Sequence, residues 1–71
     1  MRKLQVNDSV RVIHGVPNDF LPAGTVGVIQ SIWGHHILEY EAEFRLPGTN
    51  EMIREVLEAD QIEWVEFPRI D

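Results

Sequence analysis

Three carboxylates, Glu39, Glu41 and Glu43, alternate with Leu38, Tyr40, Ala42 and Phe44. Their type and spacing come nearer to chemistry than anything else in the chain. Successive side chains of an extended strand point to opposite faces, so these carboxylates recur on one face about every 6.8 Å. Paired carboxylates do general acid–base work when a pocket drives their pKa values apart. No motif sets a histidine, serine or lysine opposite this row, and 71 residues leave little room for such a pocket. The chain is therefore expected not to be an enzyme, with no catalytic residue. The row reads either as a solvated strand face or as a surface for a basic partner. Its interval is also near twice the ~3.4 Å phosphate rise along one nucleic-acid strand, which suits an acidic nucleic-acid mimic.

His14, His35 and His36 raise the question of a metal, with Glu39 as a further oxygen ligand. Zinc takes three or four ligands that converge on one point. His35 and His36 are neighbours and point to opposite faces of an extended chain. No metal site and no cofactor are expected.

The charge balance narrows the partners. Six Lys and Arg stand against twelve Asp and Glu, a formal net charge of −6. Nucleic-acid binders draw much of their affinity from cations that neutralise phosphates. Here Arg2, Lys3, Arg11, Arg45, Arg54 and Arg69 are scattered. Nucleic acid is disfavoured, and a basic protein partner matches better. There is no cysteine for a disulfide or thiolate site. No apolar run approaches the ~18 residues of a membrane span, and residues 1–8 lack the apolar core of a signal peptide. A cytoplasmic protein with no membrane contact is expected. The length suits one domain over residues 1–71, with its core at 6–66 and a frayed tail at 68–71. A chain this short buries only about 60% of its unfolded surface, and per-residue scaling gives a stability of ~5 kcal/mol.

The elements that must position these residues read as short strands. Period-2 alternation puts one strand at residues 10–14, with Val10 and Val12 inward. Residues 15–24 hold Pro17, Pro22, Asn18 and Asp19 and form a long connection. Phe20 and Leu21 at its middle either plug one end of the fold or form an exposed anchor for a partner. A bent central strand follows at 25–33, where Val26 and Val28 are expected on the inner wall. Gly24 and Gly27 there read as fold geometry, since no helix follows to aim amides at a phosphate. The clearest strand spans 36–45. Pro47 and Gly48 suit a type II turn. Residues 52–57 carry a helical stripe, Met52, Ile53, Val56 and Leu57, but the short length and flanking strands favour a strand. A single turn at 58–61 leads to a last strand at 62–66. Trp64 is core if it alternates inward with Ile62. The fold class is all-β: a small five-stranded, partly open barrel.

Val10-x-Val12, a loop, then Gly24-Thr25-Val26-Gly27-Val28-Ile29 resembles the start of SH3-like barrels, including KOW-type modules. Leu57-Glu58-Ala59-Asp60-Gln61-Ile62 looks like the one-turn 3₁₀ link such barrels place before their final strand. Together with Tyr40-Glu41-Ala42-Glu43-Phe44, these segments are similar to a family of small bacterial SH3-like proteins whose function is not known. Residues 10–19, with Pro22 and Gly24, are also similar to the NifZ family of nitrogen-fixation accessory proteins. The resemblance covers about residues 6–66 and implies the fold; fold similarity alone does not give function. RNA binding of the KOW kind is not carried over, because no Lys or Arg lies between Arg11 and Arg45.

The sequence thus points to a non-enzymatic protein-binding or accessory module that contacts a basic partner through Phe20, Leu21, Trp33, Glu39, Glu41 and Glu43. The alternatives are an acidic, nucleic-acid-mimicking inhibitor or immunity-type protein and, more weakly, a KOW-like RNA binder.

Overall fold

A computed structural model describes residues 3–13, 21–46 and 48–66. It is all-β. Strands β1 (Ser9–Val12), β2 (Val26–Trp33), β3 (Glu39–Arg45), β4 (Met52–Glu58) and β5 (Ile62–Trp64) are joined into one sheet, with a 3₁₀ turn (Ala59–Gln61) before β5. The order across the sheet is β4-β3-β2-β1-β5, and every pairing is antiparallel. The outermost strands, β4 and β5, do not pair with each other, so the expected barrel is left as an open, curled sheet. No helix among the described residues is long and apolar enough to cross a membrane.

One row of residues crosses all five strands: Trp64, Val10, Gly27, Phe44 and Ile53. Residues directly opposite in an antiparallel pair share a face. This row therefore defines the inner face, where Val10, Val12, Leu21, Ile29, Tyr40, Ala42, Phe44, Leu57 and Ile62 form the core. Leu4 of the lead-in packs against them, with Ile32, Leu38 and Ile53.

Register corrects the inner wall of β2. Val26 is exposed and Val28 half-buried, while Gly27 and Ile29 face the core. The reason is the ring of Phe44. A methyl group on Gly27 would overlap Phe44 Cδ1 and lie 2.6 Å from the Glu43 carbonyl oxygen. Only a residue without a side chain lets β2 and β3 close over that ring, and this fixes the parity of the strand.

Residues 52–57 are strand, not helix. Met52 and Val56 of the supposed helical stripe are solvent-exposed, whereas Leu57 is in the core. The boundaries shift elsewhere. β1 ends at Val12 and β5 at Trp64, and β3 starts at Glu39, three residues later than alternation suggested. The β3–β4 turn carries Gly48 at φ +77°, with Thr49 N donating to Leu46 O at 3.1 Å. That is the positive φ a type II turn requires at its third residue. Pro47, and the 68–71 tail expected to fray, lie outside the described residues.

Gly27→Ala should cost about 1–3 kcal/mol, the usual penalty of overpacking. Paired with Phe44→Leu it should cost less than the sum of the two single changes, because they relieve one contact. Urea denaturation of the four-member cycle measures both, and strict additivity would place the strain elsewhere.

Candidate protein-binding face

The face of the sheet turned away from the core carries the carboxylate row. On β3 the outward residues are Glu39, Glu41 and Glu43, and the register gives each its neighbours. Glu39 lies between Trp33 and Glu58, Glu41 between Ser31 and Val56, and Glu43 between Val28 and Arg54.

A β-bulge sets this arrangement. Ile29 faces Ala42 and Ser31 faces Glu41, so Gln30 is an extra residue on β2. Strict alternation would send Ser31 and Trp33 inward and Ile32 outward. The bulge reverses this, as bulges do when they re-aim a side chain. Ile32 packs against the core, and Trp33, 52% exposed, stands beside Glu39 on the outer face.

The structure therefore brings together four of the six residues expected to contact a partner: Trp33, Glu39, Glu41 and Glu43. It separates Leu21, which is 1% exposed within the core. Leu21 plugs the fold and is not offered to a partner. Phe20 lies outside the described residues, so no patch formed by Phe20, Leu21 and Trp33 is seen. His35 and His36 are exposed in the β2–β3 link, and His14 lies outside the described residues.

Three contributors to the face were missed. Val26, Val56 and Met52 are exposed at 49%, 43% and 49%, and all three share the outer side with the carboxylates. Strand parity alone would have placed Met52, Arg54 and Val56 together, had the helical stripe not obscured it.

The charges on this face are unevenly matched. Arg54 Nε lies 3.5 Å from Glu43 Oε2. At the opposite edge Arg11 pairs with Glu63 across β1 and β5. Among the described residues, Glu39 and Glu41 have no cation directly opposite them on either flanking strand. Glu39 directly faces Glu58, and like charges so placed destabilise a sheet by some ~0.2–1 kcal/mol. Both carboxylates are anchored by β3, whose inner side chains Tyr40, Ala42 and Phe44 are buried. The site is thus acidic and edged by apolar groups.

The opposite, concave side holds a groove of about 570 Å³ between the lead-in and β5, walled by Leu4, Tyr40, Ile62 and Trp64. Trp64 sits on the inner face with Ile62 but is 41% exposed at the rim, so it walls the groove and does not join the core that inward alternation led one to expect.

Fold and site together define a small antiparallel β domain with a mixed acidic and apolar outer face. No protein-family model, no characterised protein and no solved structure matches the chain.

Ile32→Ala should destabilise the fold by about 1–2 kcal/mol through lost burial. Trp33→Ala, though the larger truncation, should stay within about 0.5 kcal/mol of wild type. Urea midpoints give the order, and a straight strand without the bulge would invert it.

Proposed function

We propose that this chain is a non-enzymatic protein-binding or accessory module that receives a basic protein partner on the outer face of β2, β3 and β4. One observation carries the reading: Glu39 and Glu41, with no cation directly opposite them among the described residues, share their face with exposed Trp33 and Val56. Tryptophan is enriched among residues that dominate binding energy, and its ring attracts Lys or Arg by cation–π interaction. A lysine or arginine of the partner set against Glu39 would also offset the repulsion from Glu58. Charge complementarity of this kind speeds encounter and selects partners.

The strand order and the 3₁₀ turn support the SH3-like resemblance, and we take the sheet to be such a barrel with an open seam. Modules of this plan serve mainly in recognition, although fold alone does not give function. A bacterial, cytoplasmic setting accords with the resemblance and the lack of cysteine. The nucleic-acid-mimic reading is less well supported. Arg54 sits beside Glu43 and breaks the run of like charge that a phosphate mimic needs.

The test is capture from extract of the native host. Immobilised wild type is compared with Glu39→Lys/Glu41→Lys and with Trp33→Ala, each verified as folded by circular dichroism. A partner bound by wild type should lose at least about tenfold in affinity to the double variant, a change of some 1.4 kcal/mol. Added salt should weaken it as well. Binding that persists unchanged in the double variant sinks the proposal. Release of the partner by duplex DNA would favour the mimic instead.

A further inference from the structure

The outer face of the sheet is not acidic throughout. Residues opposite one another across the strands form rows on one face. The first row runs Glu63, Arg11, Val26, Arg45 and Met52, with Val26 set against Arg45 by carrying the Gly27–Phe44 pairing one step further. The next holds Ser9, Val28, Glu43 and Arg54. Beyond the bulge come Ser31, Glu41 and Val56, and then Trp33, Glu39 and Glu58. Arg11, Arg45 and Arg54, far apart in the sequence, therefore gather at one end of the face. Glu39, Glu41 and Glu58 gather at the other.

Two charges on β3 mark these ends. Arg11 pairs with Glu63, and Arg54 with Glu43. Among the described residues Arg45 has no carboxylate opposite it, since it lies between Val26 and Met52. At the other end Glu39 lies between Trp33 and Glu58. Arg45 and Glu39 are both exposed, as are Val26, Met52, Val56 and Trp33 around them.

A face with opposite charges at its two ends is complementary to a second copy of itself. In a two-fold contact residue i meets j while j meets i. An axis along the strands would lay glutamate on glutamate. An axis across the strands reverses one β3 over the other. Placed between the Glu41 and Glu43 rows, it sets all four outer residues of β3 against those of the second copy. Arg45 of each copy then lies over Glu39 of the other, and Val26 over Trp33. Glu43 comes over Glu41 of the other copy, with Arg54 beside both. Sheets packed face to face lie ~10 Å apart and cross at about 30°, an offset that arginine side chains span.

We propose that this chain forms a face-to-face two-fold dimer through the outer side of β2, β3 and β4, with reciprocal Arg45–Glu39 pairs on either side of the axis. The second copy covers the same glutamates as the basic partner proposed above, so the two exclude each other. The inference rests on that face and not on the partner's existence.

A charge swap tests it without any partner present. At about 0.15 M salt, where the Debye length of ~8 Å screens the repulsion between the net charges, wild type should dimerise in sedimentation velocity as its concentration is raised toward millimolar. Arg45→Glu alone and Glu39→Arg alone should each dimerise at least about tenfold more weakly, since each turns two attractions into two repulsions. The two variants mixed together should associate again. The glutamate introduced in one copy then lies over the arginine introduced in the other, and the second pair keeps its native residues. Should either variant fail to fold, wild type alone decides. Mixed isotope-labelled and unlabelled copies should show a nuclear Overhauser contact between the Val26 methyls and the Trp33 ring. Within one chain these lie seven residues apart on one strand, about 23 Å, too far for such a contact. A wild type that stays monomeric overturns the proposal and leaves the partner reading standing. A dimer indifferent to both charge reversals, or one without the Val26–Trp33 contact, also overturns it.

Discussion

The contact between the Phe44 ring and the bare backbone of Gly27 holds the rest of this structure in register. Phe44 is fully buried, and the row it belongs to is seen on every strand of the sheet. A side chain at position 27 would push β2 and β3 apart at the centre of that row. The glycine therefore sets which residues of four neighbouring strands face inward, because a pleated strand cannot turn one residue without turning all of them. Val10, Ile29, Ala42 and Leu57 are core for this reason as much as for their own hydrophobicity.

The bulge at Gln30 then acts on that register locally. Before it, β2 presents Val26 and Val28 outward; after it, Ser31 and Trp33. The outer face is consequently continuous across the bulge, and so is the core, through Ile29 and Ile32. The same parity of β3 that buries Tyr40, Ala42 and Phe44 leaves its glutamates on the outer face. A binding surface built on a strand holds its side chains at fixed intervals, which limits the entropy lost when a partner docks. The acidic row and the apolar residues beside it owe their proximity to two irregularities, one glycine and one extra residue.

Much of this was legible in the residues. Leu38 to Arg45 alternates so cleanly that β3 and its wet face follow directly, and the Glu58–Gln61 link reads as a turn. The Pro47-Gly48 pair foretold a positive φ. The inner wall of β2 was not legible, because Val26 and Val28 are better core residues by type than Gly27. Hydrophobicity pointed one way and the volume of a ring on another strand decided the other. Nothing local marks Gln30 as extra, since a bulge is a relation between two strands. Met52 and Val56 fit a helix and a strand equally by spacing, and pairing with β3 chose between them. Leu21 illustrates the reverse case: an apolar residue in a polar loop is drawn into a core too small to dispense with it.

The pairing of β1 with β5 has a consequence for how the chain reaches this state. The other three strand pairs join elements adjacent in sequence. β1 and β5 meet across almost the whole chain, as the Arg11–Glu63 pair, 52 positions apart, makes plain. Closing so large a loop carries an entropic cost before any contact rewards it, and folding slows as such distant contacts dominate. The β2–β3–β4 meander is therefore free to assemble early, from neighbours. β1, which supplies Val10 and Val12 to the core, stays half-covered until β5 arrives. The slowest event in folding is thus expected at the edge farthest from the acidic face, which takes shape before the domain that carries it is complete.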